Sequence, residues 1–153
     1  MPQQPTPYPA PDFALKTTED KTVTLDDYAG SWLVLYFYPE DDTPGCTVEA
    51  RSIRDARDDI SALGAEILGV SRDKADSHEK FMSKYKLNFT LASDPDHEVM
   101  DAYGVWGPKM FGIEGVRRKT FLIDPDGIVQ KVYGRVTPLG HGEQIVNDLK
   151  NLR

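Results

Sequence analysis

Only one cysteine, Cys46, occurs in the 153 residues. An internal disulfide is therefore excluded, and so is a C-x-x-C disulfide reductase, because the residue three positions after Cys46 is Glu49. Histidine is scarce as well. His78, His97 and His141 lie far apart, no two at ligand spacing, so no metal site is expected. No apolar run approaches the roughly 20 residues that span a bilayer. Positive charge is in deficit: Lys plus Arg total 18 against 25 for Asp plus Glu, a formal net charge of −7. Such a surface repels phosphate backbones and anionic lipid, which argues against nucleic acid or a membrane as partner. The opening residues, MPQQPTPYPAPDF, have neither a basic start nor an apolar segment. No signal peptide is expected, and the cytoplasm is the expected compartment.

What is present suits one domain with one sizeable core. Five prolines by Pro11 mark residues 1–8 as an extended arm, which leaves 9–153 as a single domain. Phe13–Lys16 and Thr22–Leu25 read as a β-hairpin around a polar turn. SWLVLYFY, Ser31 to Tyr38, is short, apolar and bounded by Gly30 and Pro39, as a strand buried on both faces should be. After Cys46 the period changes. Ile53, Ala56, Ile60 and Leu63 fall at helical spacing, with Arg51–Asp55 and Arg54–Asp58 as i,i+4 pairs and Gly64 as the stop.

AEILGVS, Ala65 to Ser71, is a second buried strand. A helix with Phe81 and Tyr85 on one face follows it, and His78 falls in what reads as its exposed pattern. Phe89 to Asp94 forms a short strand, and Asp96 to Tyr103 a short helix with Asp94 as its cap and Pro95 at its start. Residues 104–116 read as a Gly-rich loop. RKTFLID and IVQKVYG form a hairpin through Pro125–Gly127. A last helix runs from about Gly142 to Leu152, with Ile145, Leu149 and Leu152 inward. Alternating strands and helices closed by an antiparallel hairpin predict an α/β fold, a mixed central sheet flanked by helices with an N-terminal β-hairpin.

Cys46 stands where the first buried strand hands over to its helix, the kind of place where α/β sheets carry their sites. Pro44 and Gly45 break the extended chain, so the helix begins at about Cys46 or Thr47. The sulfur then meets free N–H groups and the positive end of the helix dipole, which favours a thiolate. Thr43 can serve as cap or hydroxyl donor. Against this stand Glu40, Asp41 and Asp42, whose charges disfavour a thiolate; as loop carboxylates they are expected to point to water and to be screened there. On residues alone, an inert packing cysteine and a reactive one both stay open.

Pro39, Thr43 and Cys46 spell P-x-x-x-T-x-x-C, and the longer string YFYPEDDTPGCTVEA resembles the peroxiredoxins, in particular the peroxiredoxin Q or bacterioferritin comigratory branch. The likeness runs from about Pro9 to Asn151 and includes SDPDHEVMDAYGVWGPK and RKTFLID in the family's order. It implies a thioredoxin-like fold and a thiol-dependent peroxidase acting on hydrogen peroxide and organic hydroperoxides, with no cofactor. Cys46 would be the attacking thiolate, Thr43 a hydrogen-bond partner of sulfur and peroxide, and Pro39 a shield. Arg118, three residues before Phe121, would favour the thiolate and hold the peroxide. Glu49 either accepts a hydrogen bond from an arginine or simply matches the dipole.

Many relatives carry a resolving cysteine five residues on, where this chain has Arg51. Regeneration is therefore expected from an external thiol, on a thioredoxin or glutaredoxin partner or of low molecular weight. Relatives of this branch are often monomers, and a monomer is expected. A peroxide sensor that relays oxidation to a partner protein is the rival reading. Trp106 and Phe111 either wall the peroxide pocket or pack their own loop.

Overall fold

The computed structural model describes residues 5–108 and 113–153. Ten strands are formed there: β1 Tyr8–Pro9, β2 Ala14–Thr17, β3 Thr22–Thr24, β4 Trp32–Phe37, β5 Ala65–Ser71, β6 Thr90–Ser93, β7 Trp106–Pro108, β8 Glu114–Val116, β9 Lys119–Ile123 and β10 Ile128–Tyr133. Four α-helices accompany them: α1 Pro44–Ala62, α2 Ala75–Tyr85, α3 Glu98–Ala102 and α4 His141–Leu152. The main sheet has the order β1-β10-β9-β4-β5-β6-β2-β3. β4 lies parallel to β5 and antiparallel to β9, so the sheet is mixed as expected.

Alternation along β4 splits the core in two. Val34 and Tyr36, with Tyr38 just beyond, face a cluster with Ile53, Ile60, Phe81, Ile145 and Leu149 from α1, α2 and α4. Leu33, Leu35 and Phe37 face the other cluster, with Met100, Phe121 and Val129. The sheet thus has an apolar layer on each face, and β4 delivers the chain to α1 from the middle of the molecule.

Local departures from the expected elements have simple causes. The N-terminal hairpin forms, but β2 also pairs with β6, so it extends the main sheet. Tyr8–Pro9, at the end of the arm, pairs with β10. The loop over 104–116 holds a second hairpin, β7 with β8, which the glycine and proline content of that stretch disguises. α3 begins at Glu98 rather than near Pro95, because Asp94 caps it from a distance, its carboxylate accepting from the Met100 N–H at 2.9 Å. Leu152 is exposed while Ile145 and Leu149 are buried. On α1 the ion pairs join neighbours, Arg54 with Asp55 at 2.8 Å and Arg57 with Asp58 at 3.4 Å.

Candidate active site

α1 starts two residues earlier than its apolar period indicates, at Pro44, with Thr43 as N-cap. Proline suits this first position because its missing N–H would have no helical partner. Cys46 is then the third helical residue, inside the turn whose N–H groups are free. It is buried, at 2% exposure, on the helix stripe that also carries Glu49, Ile53, Ala56 and Ile60.

Arg118 lies just before β9 and reaches across to α1. Its guanidinium donates to the Cys46 sulfur at 3.4 Å and to Glu49 Oε1 at 2.6 Å. Gly45 permits the approach: a β-carbon there would stand 3.1 Å from an Arg118 terminal nitrogen. Arg117 turns elsewhere and donates to the Pro108 carbonyl at 3.0 Å. The sulfur therefore meets one cation, held by one fully buried carboxylate.

That carboxylate is under opposing influences. Complete burial pushes the Glu49 carboxyl up to about 7, and the Arg118 guanidinium pulls it back toward the ionised form. Its second oxygen, Oε2, is buried without a partner among the described residues, as is the Tyr36 hydroxyl. Burial, with the charges of Glu49, Cys46 and Asp41 adding to it, pushes the Tyr36 hydroxyl well above its ordinary value. His141 is buried close by between Thr120 and Gln144, at 2.8 Å and 3.1 Å, and desolvation lowers its basicity.

Other expected site residues fall as follows. The Thr43 hydroxyl donates to the Glu40 carbonyl at 2.9 Å and makes no cap bond. The Thr43 carbonyl instead accepts the first helical bond, from the Thr47 N–H at 2.8 Å. Pro39 is half-buried at the exit of β4. Arg51 lines an open groove of ≈ 790 Å³ between α1 and α4, with Val48, Ser52, Leu139 and Val146. Trp106 stacks on His97 with ring centroids 4.0 Å apart, lies under Arg72 and donates to Glu114 at 3.1 Å, which is packing within its own region. Phe111 lies outside the described residues. No group of three or more potential metal ligands occurs among the described residues. Nor, among them, is any helix long and apolar enough to cross a membrane.

Two expectations are overturned, one for the loop before Cys46 and one for α2. The loop's acids do not all point to water: Glu40 and Asp42 are exposed, but Asp41 is buried. Nor does His78 lie on an exposed face; it is fully buried and pairs with Asp41 at 2.7 Å. The signal for His78 was available, since it stands three residues before Phe81 and so shares its helix face. Asp41 lies in a loop, where no periodicity could reveal it.

A lone cysteine at the start of the helix after the central strand, with an arginine on its sulfur, defines a cysteine-based redox domain. Comparison with known proteins narrows the class. Residues 7–132 match the AhpC/TSA family. Peroxiredoxin Bcp of Bacillus subtilis is 43% identical over 146 residues, covering 94% of this chain and 93% of that one. Peroxiredoxin Bcp of Escherichia coli K12 is 41% identical over 144 residues, 92% of each. The Xanthomonas campestris bacterioferritin comigratory protein, whose structure was described for its alkyl peroxide reduction activity, superposes with a TM-score of 0.88 at 38% identity, over 92% of this chain and 91% of that one. The chain belongs to the AhpC/TSA family and is a peroxiredoxin of the Bcp, or peroxiredoxin Q, type.

Proposed function

We propose that this peroxiredoxin reduces hydrogen peroxide and organic hydroperoxides by a one-cysteine cycle centred on Cys46. The Cys46 thiolate attacks one peroxide oxygen, and the S–O bond forms as the O–O bond breaks. Sulfenic acid is left on Cys46, and the departing hydroxide or alkoxide takes up a proton and leaves as water or alcohol. A first external thiol then displaces water from the sulfenic acid to give a mixed disulfide. A second releases the Cys46 thiol and departs as oxidised disulfide.

The observation that carries this reading is the Arg118 guanidinium on the sulfur, fixed from behind by buried Glu49. A cation there stabilises both the thiolate and the negative charge that builds on the departing oxygen. Acidity alone is not enough. An ordinary thiol is about 3% ionised at pH 7, so complete ionisation gains only about thirtyfold, and a less basic thiolate is also a weaker nucleophile. The greater share comes from holding the peroxide in line, for which Arg118 and the Cys46 N–H are the assigned donors, joined by the Thr43 hydroxyl once it turns its hydrogen from the Glu40 carbonyl to the bound peroxide. Pro39 shapes and shields the loop.

The reductant is an external thiol, on a thioredoxin or glutaredoxin partner or of low molecular weight, because no second cysteine exists. The working unit is a cytoplasmic monomer of one domain, which the pairing of Tyr8 with Val129 carries at least to Tyr8. Peroxide consumption with excess thiol tests the cycle: many equivalents should disappear with wild type and none beyond background with Cys46→Ser. A wild-type protein that consumes one equivalent and stops would be a sensor.

A further inference from the structure

The loop between β4 and α1, residues 38–43, leads directly into Cys46, and its attachment to α2 takes no part in the chemistry above. The attachment has two rungs. In the inner one the buried Asp41 carboxylate accepts from the Tyr38 hydroxyl at 2.5 Å, the Ser77 hydroxyl at 2.8 Å and His78 Nδ1 at 2.7 Å. The other His78 nitrogen, Nε2, faces the Ala92 carbonyl at 3.0 Å, an acceptor only, so it donates and ties α2 to β6. The Asp41 N–H donates to Asp73 at 2.8 Å, and Asp73 is itself held by the Ser71 hydroxyl at 2.7 Å. In the outer rung, exposed Asp42 accepts from Lys84 at 2.8 Å and from the Tyr85 hydroxyl at 2.6 Å.

This is an unusual way to fix a loop. A buried pair of polar, ionisable side chains is seldom more stabilising than apolar residues of the same volume, but its bonds are directional and fix one arrangement. Asp42 also sits at φ 56, a left-handed conformation that residues other than glycine rarely adopt. Such conformations persist only where the surroundings over-determine them. Both rungs run from this loop to α2.

We propose that Asp41–His78 and Asp42–Lys84–Tyr85 form a two-rung latch that holds the peroxide-binding loop shut on α2 and so positions Cys46 beside Arg118. The inference rests on the one-cysteine peroxidase reading and adds how that site is kept closed. In a chain with no resolving cysteine, opening the loop gains no disulfide. Sulfenic Cys46 therefore waits in the closed pocket beside Arg118, where a second peroxide can reach it. That peroxide transfers one oxygen to sulfur, giving sulfinic acid and releasing water or alcohol. The latch thus favours the first oxidation and, by the same geometry, exposes the enzyme to the second.

Two variants test this: Lys84→Ala with Tyr85→Phe, which removes the outer rung at the surface, and Asp41→Asn, which weakens the inner one. Amide exchange of residues 40–47 should quicken by about tenfold in the first and more in the second, while β5 stays as in wild type. With peroxide and thiol fixed, sulfinic Cys46 formed per turnover should fall severalfold in both, and the second-order rate with peroxide should fall. Unchanged loop exchange and unchanged sulfinic yield in a folded variant would overturn the latch. So would loop exchange that rises only in step with that of β5, and if Asp41→Asn does not fold, the surface variant decides alone. A wild-type protein inert to peroxide would remove the peroxidase reading instead, and the exchange experiment would still decide the latch.

Discussion

At the level of single residues, the site turns on how one guanidinium divides its charge. Arg118 serves both Cys46 and Glu49, so removing it takes away donor and cation together. Arg118→Ala should slow peroxide reduction by about a hundredfold or more, measured by stopped-flow at a pH where the variant thiol is fully ionised. A loss no greater than thirtyfold that vanishes there would assign Arg118 to acidity alone. Glu49 adds a pH dependence. Its folded value of about 7 lies above its ordinary 4.5, so its contribution to stability is complete below about 4.5 and is lost as pH rises through about 7. The melting temperature of wild type minus that of Glu49→Gln should therefore be larger at about pH 5 than at about pH 8.5. The same ionisation offsets part of the Arg118 charge above about pH 7. The ratio of the Glu49→Gln peroxide rate to the wild-type rate should accordingly rise as pH passes through about 7, and a ratio that does not change with pH would remove Glu49 from the electrostatics of the sulfur.

Among the secondary elements, β4 and α1 set the site, and the contact of α1 with α4 keeps α1 in place. Gly142 marks that contact: a β-carbon there would lie 2.3 Å from the Ser52 carbonyl oxygen and 2.9 Å from the Ala56 β-carbon. Backbone cannot yield as a side-chain tip can, so Gly142→Ala should cost about 1–3 kcal/mol in denaturant unfolding. An unaffected midpoint would mean that the helices shift freely. Elements of this kind were largely legible in the sequence, since β4, β5, α1 and the β9–β10 hairpin announce themselves by period and by their bounding glycines and prolines. Within α1 the order Cys46, Glu49, Ile53, Ala56, Ile60 even places the buried carboxylate on the core stripe. What escaped was fixed by partners distant in sequence. Asp41 is buried because His78, 37 residues on, gives it a proton donor. The β7–β8 hairpin escaped because its strands are three residues each and rich in glycine.

For the molecule as a whole, the decisive property is a closed site with a single sulfur. Oxidised by excess peroxide without reductant, the protein should gain two oxygens at Cys46 by mass spectrometry, and its monomer mass should otherwise be retained. A persistent sulfenic acid or a dominant Cys46–Cys46 dimer would contradict a recessed site open to small peroxides only. The most direct measurement of the central claim is the pre-steady-state rate of reduced protein with hydrogen peroxide, set against a free thiol at the same pH. A Cys46-dependent rate far above the roughly thirtyfold advantage that full ionisation alone supplies is expected. A rate within that thirtyfold, or one that Arg118→Ala leaves unchanged, would contradict the claim.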